Sequence, residues 1–236
     1  MFEVIKLQHN TPEWLAFRKN GIGASDASAV LGMSNWVTNI ELWEEKVGLR
    51  EPRDLSDSEV VKYGSEAEEY NVRLFALQYA DRYKTKVDKS VVYLKNGFQF
   101  ASLDGELEEI QTKILGIYEG KTVLATSNLA WEEWRGQIPQ KYYIQVLHQM
   151  LVTERKFVVI RPEFRWIDED GEIVTKCRHI KITQDQGVLS DMKYLDEAEH
   201  EFWGYVKRGE RPPRLLPQFQ NQQILKIGGY TKWHKN

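Results

Sequence analysis

The fold of this chain is decided by two short stretches, S-L-D-G at residues 102–105 and G-I-Y-E-G-K at residues 116–121. The second stretch lies in an apolar run that is typical of a β-strand. Residues two apart in a strand share a face, so Glu119 and Lys121 are expected to point the same way. If a neighbouring strand follows the first stretch, Asp104 joins them. The pattern therefore predicts two carboxylates and one lysine gathered on one face of a sheet.

This set of side chains suggests metal-assisted hydrolysis of a phosphodiester. Carboxylates are costly to bury without a counterion, and Mg²⁺ prefers carboxylate and water oxygens. The metal lowers the pKa of a bound water, and an adjacent lysine holds that water in line. Asp104 and Glu119 are thus candidate metal ligands, and Lys121 is the candidate residue that positions the nucleophile. The alternative is a surface ion pair on an exposed strand, because Glu-x-Lys is common.

Two helical residues are further candidates. Glu68 lies in a long predicted helix and would add a third carboxylate from outside the sheet. Gln145 lies in a helix whose apolar positions face the sheet, which would place its amide near Lys121. The alternatives are a solvated acidic helix face for Glu68 and a satisfied polar residue at the edge of the core for Gln145.

Capping residues and apolar periodicity predict the elements of the fold. The predicted helices cover residues 12–21, 25–32, 38–48, 59–79, 128–134, 139–151 and 184–207, and the predicted strands cover residues 87–93, 98–103, 114–123, 157–167 and 173–182. Thr38 with Glu41 and Thr183 with Gln186 are predicted capping boxes. Helices before, inside and after a mixed sheet make the fold α/β or α+β, as a single domain over residues 1–210.

Composition excludes several classes of protein. The chain has 236 residues, of which 42% are hydrophobic and 12% aromatic, so it is not mainly disordered. One cysteine, Cys177, excludes a disulfide framework and a cysteine-based zinc cluster. No apolar run reaches the ~20 residues that span a bilayer, and the first residues do not resemble a signal peptide. A cytoplasmic protein without a membrane partner is expected.

Charge is unevenly distributed along the chain. The net charge is −3, although a protein that binds phosphates over its whole surface is usually basic. From Gly204 onward there are seven cations and one anion, so a segment of net charge +6 follows a body of net charge −9. The last part, residues 211–236, is expected to be an extended basic tail. It is either a binding arm for an anionic polymer or an ordinary solvated terminus.

The order of the motifs resembles the YqaJ/lambda-exonuclease family of phage-type recombination nucleases. The resemblance covers about residues 10–165 and rests on five ordered motifs: Arg18 with G-I-G-A-S-D at 21–26, G-x-x-x-E at 64–68, S-x-D-G at 102–105, E-x-K at 119–121 and Q-x-x-H-Q-M at 145–150. Two positions depart from the family pattern. Leu103 stands where the family name has proline, and Gly120 replaces an apolar residue, which would loosen the strand or let the DNA backbone approach.

The resemblance implies a PD-(D/E)xK, restriction-endonuclease-like core and Mg²⁺-dependent 5′→3′ digestion of linear double-stranded DNA, with Mn²⁺ able to substitute. A 3′ single strand would remain for recombination. By position, the family's metal ligands correspond to Asp104 and Glu119, its lysine to Lys121, its helix carboxylate to Glu68 and its supporting glutamine to Gln145. The 5′-phosphate and DNA contacts correspond to Arg18, Ser25 and Ser102. Ser25 is also placed at a predicted helix N-terminus, which favours an anion.

The resemblance also implies a ring-shaped homotrimer, action on double-stranded DNA ends in a bacterial host cell, and a single-strand annealing partner. Two alternatives stay open: a related nuclease of other polarity or endonucleolytic action, and an inactive DNA-binding protein. His148 is expected to be a hydrogen-bonded structural residue. The tryptophans at 14, 36, 43, 131 and 134 are candidates for stacking on a terminal base pair, although most are expected in the core.

Overall fold

The computed structural model describes residues 1–9, 11–55, 57–125 and 128–215, with the backbone alone described at 128 and 129. The strands in this part of the chain are β1 (Phe2–Lys6), β2 (Ile22–Gly23), β3 (Tyr83–Lys86), β4 (Val91–Lys95), β5 (Gln99–Ala101), β6 (Gly105–Glu109), β7 (Leu115–Leu124), β8 (Phe157–Ile167), β9 (Ile173–Cys177) and β10 (Ile180–Thr183). The helices are α1 (Pro12–Lys19), α2 (Ala27–Val30), α3 (Asn39–Lys46), α4 (Glu59–Gln78), α5 (Asn128–Glu132), α6 (Gln140–Thr153) and α7 (Gln186–Arg208). Within the described residues, no helix has the length and apolar character needed to cross a bilayer.

Most helices begin where local capping predicts. The Thr11 hydroxyl caps α1, which has Pro12 at its first turn, and Thr38 and Glu41 form the predicted reciprocal capping box of α3. The predicted capping box of Thr183 and Gln186 is wrong, because Thr183 ends β10, paired with Phe157 of β8. Asp185 caps α7 instead, accepting a hydrogen bond of 2.8 Å from the Val188 amide.

The larger sheet has the strand order β10-β8-β7-β6-β3, and β9 also pairs with β8. Strands β7 and β8 are parallel and the other pairs are antiparallel, so the sheet is mixed. Helix α4 covers one face through Val72 and Phe75, which pack with Tyr118 of β7. Helix α6 covers the other face, where Ile144 belongs to the same core as Ile117. The prediction of a mixed sheet flanked by helices is confirmed.

A second, smaller sheet has the order β1-β4-β5-β2. It contains the predicted strand at 98–103 as the shorter β5, together with β1 and β2, which were not predicted. Helices α2, α3 and α7 pack beside it, in a core that includes Ile22, Trp43 and Phe202. The predicted strand at 87–93 corresponds in part to β4, which begins at Val91, and β3 was not predicted. The predicted strand at 173–182 is divided into β9 and β10, which pair with different parts of β8.

Strand β6 was missed because G-E-L-E-E has one apolar side chain and four residues of low strand propensity. It is stabilised by cross-strand charge pairs with β3, where Lys84 lies 3.2 Å from Glu108 and Lys86 lies 3.7 Å from Glu106. This strand is the one that places Asp104, since Asp104 directly precedes it.

Candidate active site

Strands β6 and β7 bring Asp104 beside Glu119. Gly105 pairs with Tyr118 in the antiparallel register, so Asp104 lies opposite the next residue of β7. The Gly120 amide donates a hydrogen bond of 2.9 Å to Asp104 Oδ2. Burial raises the pKa of Asp104 well above its usual value, and the negative charges of Glu119 and Glu68 raise it further. The expected convergence of these carboxylates is therefore present in the structure.

Lys121 lies on the same face of β7 as Glu119, as the strand periodicity predicts. Its Nζ atom makes a short contact with Glu119 Oε1. Burial would lower the pKa of Lys121, but the carboxylates of Glu119 and Asp104 outweigh it and raise the pKa. The lysine is therefore held as a cation, directed at the carboxylate pair.

Two side-chain amides of α6 also hold Glu119. Gln145 Nε2 donates to Glu119 Oε1 at 2.7 Å, and Gln149 Nε2 donates to Oε2 at 2.7 Å. Glu119 is 1% exposed, and a buried carboxylate is tolerated when its oxygens accept hydrogen bonds. Gln145 was expected near Lys121, and it donates to the same Glu119 oxygen that Lys121 contacts. Gln149 was missed, although its spacing of four from Gln145 places both residues on one helix face.

Glu68 approaches from α4, on the other side of the sheet. Its charge contributes to the raised pKa of Asp104, so the two carboxylates are within electrostatic range. Glu68 Oε1 also lies 3.1 Å from Lys89 Nζ, in a half-buried ion pair. The helix carboxylate is thus close to the carboxylate pair of the sheet, and it is held by a lysine of its own.

The donor set fits a hard divalent cation. Among the described residues no three His, Cys, Asp or Glu side chains form a ready metal-binding group. However, Asp104 and Glu119 supply carboxylate oxygens, the ligands that Mg²⁺ prefers. The raised pKa of Asp104 reports its burial and, after that, repulsion from Glu119 and Glu68, which such a cation would relieve. A carboxylate has about four lone-pair sites, so the bonds already made by Glu119 leave room for coordination.

Arg18 and Ser25 also lie together, as expected for a phosphate pocket. Arg18 Nη2 donates to Ser25 Oγ at 3.2 Å and to Asp26 Oδ1 at 3.1 Å, and Lys46 Nζ lies 2.7 Å from Asp26 Oδ2. Burial would raise the pKa of Asp26, but Lys46 and Arg18 lower it to about 2. Ser25 precedes the cap of α2, a helix of four residues, so the cations supply the positive charge here.

This pocket opens into a cleft of about 770 Å³ that reaches α4 at Ser65, close to Glu68. Its lining includes further cations, namely Lys19, Arg53 and Lys62. Asp26 and Lys46 were not predicted as part of this site. Ser102 lies half-buried between β5 and β6, two residues before Asp104. The cleft therefore joins the Arg18 cluster to the helix that carries the third carboxylate.

His148 is structural, as expected. Its Nδ1 atom lies 2.6 Å from Glu199 Oε1, and its Nε2 atom lies 2.9 Å from the Phe100 carbonyl oxygen. The backbone amide of Gly120 donates to Asp104, a bond that any residue except proline could make at this position. Strand β7 continues through Gly120, and a Cβ added there would meet Asp104 Oδ2 at 3.6 Å, an ordinary contact, so sterics do not require glycine at this position.

Comparison with solved structures identifies proteins of the same fold. The structure superposes on an alkaline exonuclease, LHK-Exo from Laribacter hongkongensis, with a TM-score of 0.55 and 16% identity, covering 92% of this chain and 100% of that chain. The complex of LHK-Exo with dAMP superposes with a TM-score of 0.52 and 17% identity, over 92% and 100% of the two chains. The chain therefore shares the fold of these alkaline exonuclease structures, a mixed α+β fold whose sheets are flanked by helices.

Sequence comparison identifies the family. The model of the family described as YqaJ-like viral recombinase domain matches residues 13–156. The uncharacterized protein YqaJ of Bacillus subtilis (strain 168) is 30% identical over 215 residues, which are 91% of this chain. The matched part spans 62% of that relative's length. The chain belongs to the YqaJ-like viral recombinase domain family, which confirms the resemblance found in its motifs.

Proposed function

We propose that this protein is a metal-dependent exonuclease that digests linear double-stranded DNA from its 5′ ends and leaves 3′ single strands for phage-type recombination. The observation that carries the proposal is the convergence of Asp104, Glu119 and Lys121 at one point of the larger sheet. The likeness to an alkaline exonuclease whose complex contains dAMP supports this reading.

Asp104 and Glu119 would hold Mg²⁺, or Mn²⁺ in its place. When bound, the ion would supply an acidified water and stabilise charge on the leaving oxygen. Lys121 donates to and orients the attacking oxygen, because its ammonium is held charged by Glu119 and Asp104. Gln145 and Gln149 fix the direction of the Glu119 carboxylate, so the carboxylate does not reorganise when DNA arrives.

Arg18, Ser25 and Lys46 would hold the 5′-phosphate. Arg18 is the donor that suits a phosphate, since its planar guanidinium can make two parallel hydrogen bonds. In the free protein it is oriented by Asp26, whose depressed pKa keeps that carboxylate ionised. A phosphate held here would fix which end of the duplex enters the cleft, and this explains the proposed polarity. Ser102 would contact the DNA beside Asp104.

The assembly and its surroundings are part of the same proposal. A ring-shaped homotrimer would enclose the duplex, so that processive digestion does not require a basic surface overall. A single-strand annealing protein would receive the 3′ strand in the cytoplasm of a bacterial host. The mass of the protein in solution, measured by light scattering, tests the trimer directly.

The catalytic assignment is tested with Lys121→Ala and Asp104→Asn, measured on linear duplexes labelled separately at each end. We expect each variant to lose about 100-fold or more in rate, since each removes a group that acts on the reacting phosphate. Glu108→Gln is the matched control, because it changes a carboxylate of the adjacent strand β6 and should leave the rate unchanged. Normal digestion by both active-site variants would overturn the assignment.

The polarity is tested with Arg18→Ala on duplexes with and without a 5′-phosphate. We expect kcat/KM on the phosphorylated duplex to fall by about 10- to 100-fold, with little change on the 5′-hydroxyl duplex. Digestion that starts from 3′ ends, or at internal positions of a circular duplex, would instead favour the related nucleases of other polarity or endonucleolytic action. Binding without any cleavage would favour an inactive DNA-binding protein.

A further inference from the structure

Trp36 differs in exposure from the other candidate stacking tryptophans. It is 69% exposed in the segment between α2 and α3, whereas Trp43 is 6% exposed and Trp134 is 2% exposed. The Trp131 ring already stacks on the Phe164 ring, with centroids 4.3 Å apart and nearly parallel planes. Because tryptophan is usually well buried, an exposed indole is a candidate contact for a ligand with a flat apolar face.

A continuous series of cation and ring contacts links Trp36 to the candidate active site. Lys121 Nζ lies 5.3 Å from the centroid of the Tyr142 ring. Lys141 Nζ lies 4.9 Å from the same ring and 5.8 Å from the indole of Trp36. Tyr142 is itself stacked on buried Trp134 at 5.5 Å, so the middle of the series rests on the core. We call Trp36, Lys141 and Tyr142 the aromatic strip.

The aromatic strip is positively charged and borders open space. Within the described residues Lys141 makes no salt bridge, and its ammonium contacts the two rings of the strip. A cleft of about 610 Å³ adjoins it, lined by Lys141, Met33, the amides of Asn35, Gln137 and Gln140, and the carboxylate of Glu133 among others. A ligand that fits both the Lys141 ammonium and the exposed Trp36 ring carries negative charge and flat rings a short distance apart. A strand of DNA has both.

We infer that the aromatic strip is a second DNA-contacting surface, on which a nucleobase a few nucleotides from the scissile phosphate stacks against Trp36 while Lys141 contacts the backbone. The inference rests on the proposed function, since it takes Lys121 as the position of the cleaved phosphate. Stacking tolerates any base, because every base has a π-face, so the strip would add affinity without sequence preference.

The test measures binding separately from cleavage. Duplexes carrying 2-aminopurine at successive positions from the 5′ end are bound to the protein in a buffer without divalent cations. We expect quenching of 2-aminopurine at a small number of adjacent positions with the unmodified protein, loss of that quenching with Trp36→Ala, and its recovery with Trp36→Phe. Affinity should fall about tenfold in Trp36→Ala. Lys141→Gln should lower the salt dependence of binding by about one phosphate contact.

Tyr70→Ala is the matched control, because Tyr70 is an exposed aromatic residue (72%) on α4, which packs on the opposite face of the larger sheet from α6. It should change neither the quenching nor the affinity. Unchanged quenching and affinity in Trp36→Ala would overturn the inference. The proposed function is judged independently, by whether the unmodified protein with Mg²⁺ digests the same duplexes. If it digests them and Trp36→Ala behaves like the unmodified protein, the inference fails while the proposed function stands.

Discussion

At the scale of single residues, the main feature of the candidate site is a buried carboxylate with three donors. Glu119 accepts from Gln145, Gln149 and Lys121, and its burial makes each of these bonds matter. Hydrogen bonds to a charged group are worth about 1.5–3 kcal/mol each, and removing one leaves the carboxylate partly unsatisfied. The orientation of Glu119 therefore depends on residues that never need to touch DNA.

Gln149→Met tests this positioning role, because methionine has a similar shape and no donor. We expect kcat to fall about tenfold with KM for DNA unchanged, since Glu119 would lose one of its orienting bonds. Within the described residues, Gln149 Oε1 is buried without a hydrogen-bond partner, which destabilises the fold, and methionine has no such oxygen. The free energy of unfolding should therefore fall by less than the loss of one hydrogen bond to Glu119 suggests. The measurements are steady-state digestion and urea unfolding.

The control for this variant is Gln111→Met, in the exposed turn between β6 and β7. It should alter neither kcat nor the free energy of unfolding. An unchanged kcat in Gln149→Met would show that Gln145 and Lys121 are enough to orient Glu119.

At the scale of elements, a buried ion pair fastens α6 to α7. His148 of α6 bonds to Glu199 of α7 and to the Phe100 carbonyl oxygen, while Gln99 of β5 donates to Glu199 Oε2 at 2.8 Å. Both partners of the His148 ring are acceptors, so the doubly protonated ring is favoured. Burial would lower the pKa of His148, but the charge of Glu199 outweighs it and raises the pKa. Helix α6 carries both Gln145 and Gln149, so this pair also supports the site.

The pair predicts a pH dependence of stability. A histidine with a raised pKa in the folded state stabilises the fold fully below its unfolded pKa, near 6.5, and this contribution is lost as pH rises through the folded pKa. We expect the free energy of unfolding to fall as pH rises above about 6.5. Glu199→Gln should remove this dependence and lower stability by about 3–5 kcal/mol at pH 6, because it removes one partner of a buried ion pair.

Urea unfolding of the protein and of Glu199→Gln at pH 6 and pH 9 measures both effects. His200→Gln is the control on the same helix, since the His200 side chain is half exposed and should change stability by only about 0.5 kcal/mol. A Glu199→Gln variant with the same pH slope as the unmodified protein would contradict the assigned charge state of His148.

At the scale of the whole molecule, the described part of the segment after α7, residues 211–215, is bonded to Asn39 of α3. Asn39 Nδ2 donates to the Pro213 carbonyl oxygen at 2.8 Å, and the Leu215 amide donates to Asn39 Oδ1 at 3.1 Å. Leu215 also packs over Gly32 so closely that a Cβ there would lie 2.8 Å from it. The expected basic tail thus begins with a packed part, residues 211–215, and residues 216–236 lie outside the described residues.

Truncation at two positions separates stability from DNA binding. Ending the chain after Glu210 should lower stability by about 1–3 kcal/mol, because buried Asn39 would lose both bonds, and a thermal midpoint measures this. Ending it after Leu215 keeps both bonds of Asn39 and removes Lys226, Lys232 and Lys235. If those lysines contact phosphates, the second truncation lowers the salt dependence of DNA binding by up to about three contacts. An unchanged salt dependence would identify a solvated terminus.

Local patterns predicted a large part of this molecule. Strand β8 runs over Phe157–Ile167 as expected, and α3 begins at the predicted capping box, because strand periodicity and cap hydrogen bonds act over a few residues. The shared face of Glu119 and Lys121 follows from strand geometry in the same way. The spacing of the motifs was also sufficient to recognise the family.

Long-range packing decided the rest, because it depends on which elements meet and not on neighbours along the chain. Strand β6 exists through its backbone pairing with β3 and β7, and it places Asp104 against the Gly120 amide, a partner sixteen residues away. Gln149 reaches Glu119 because α6 packs on β7. The exposure of Trp36 likewise depends on what covers it in space. Periodicity can say which face of an element is apolar, but only the tertiary arrangement determines what that face meets.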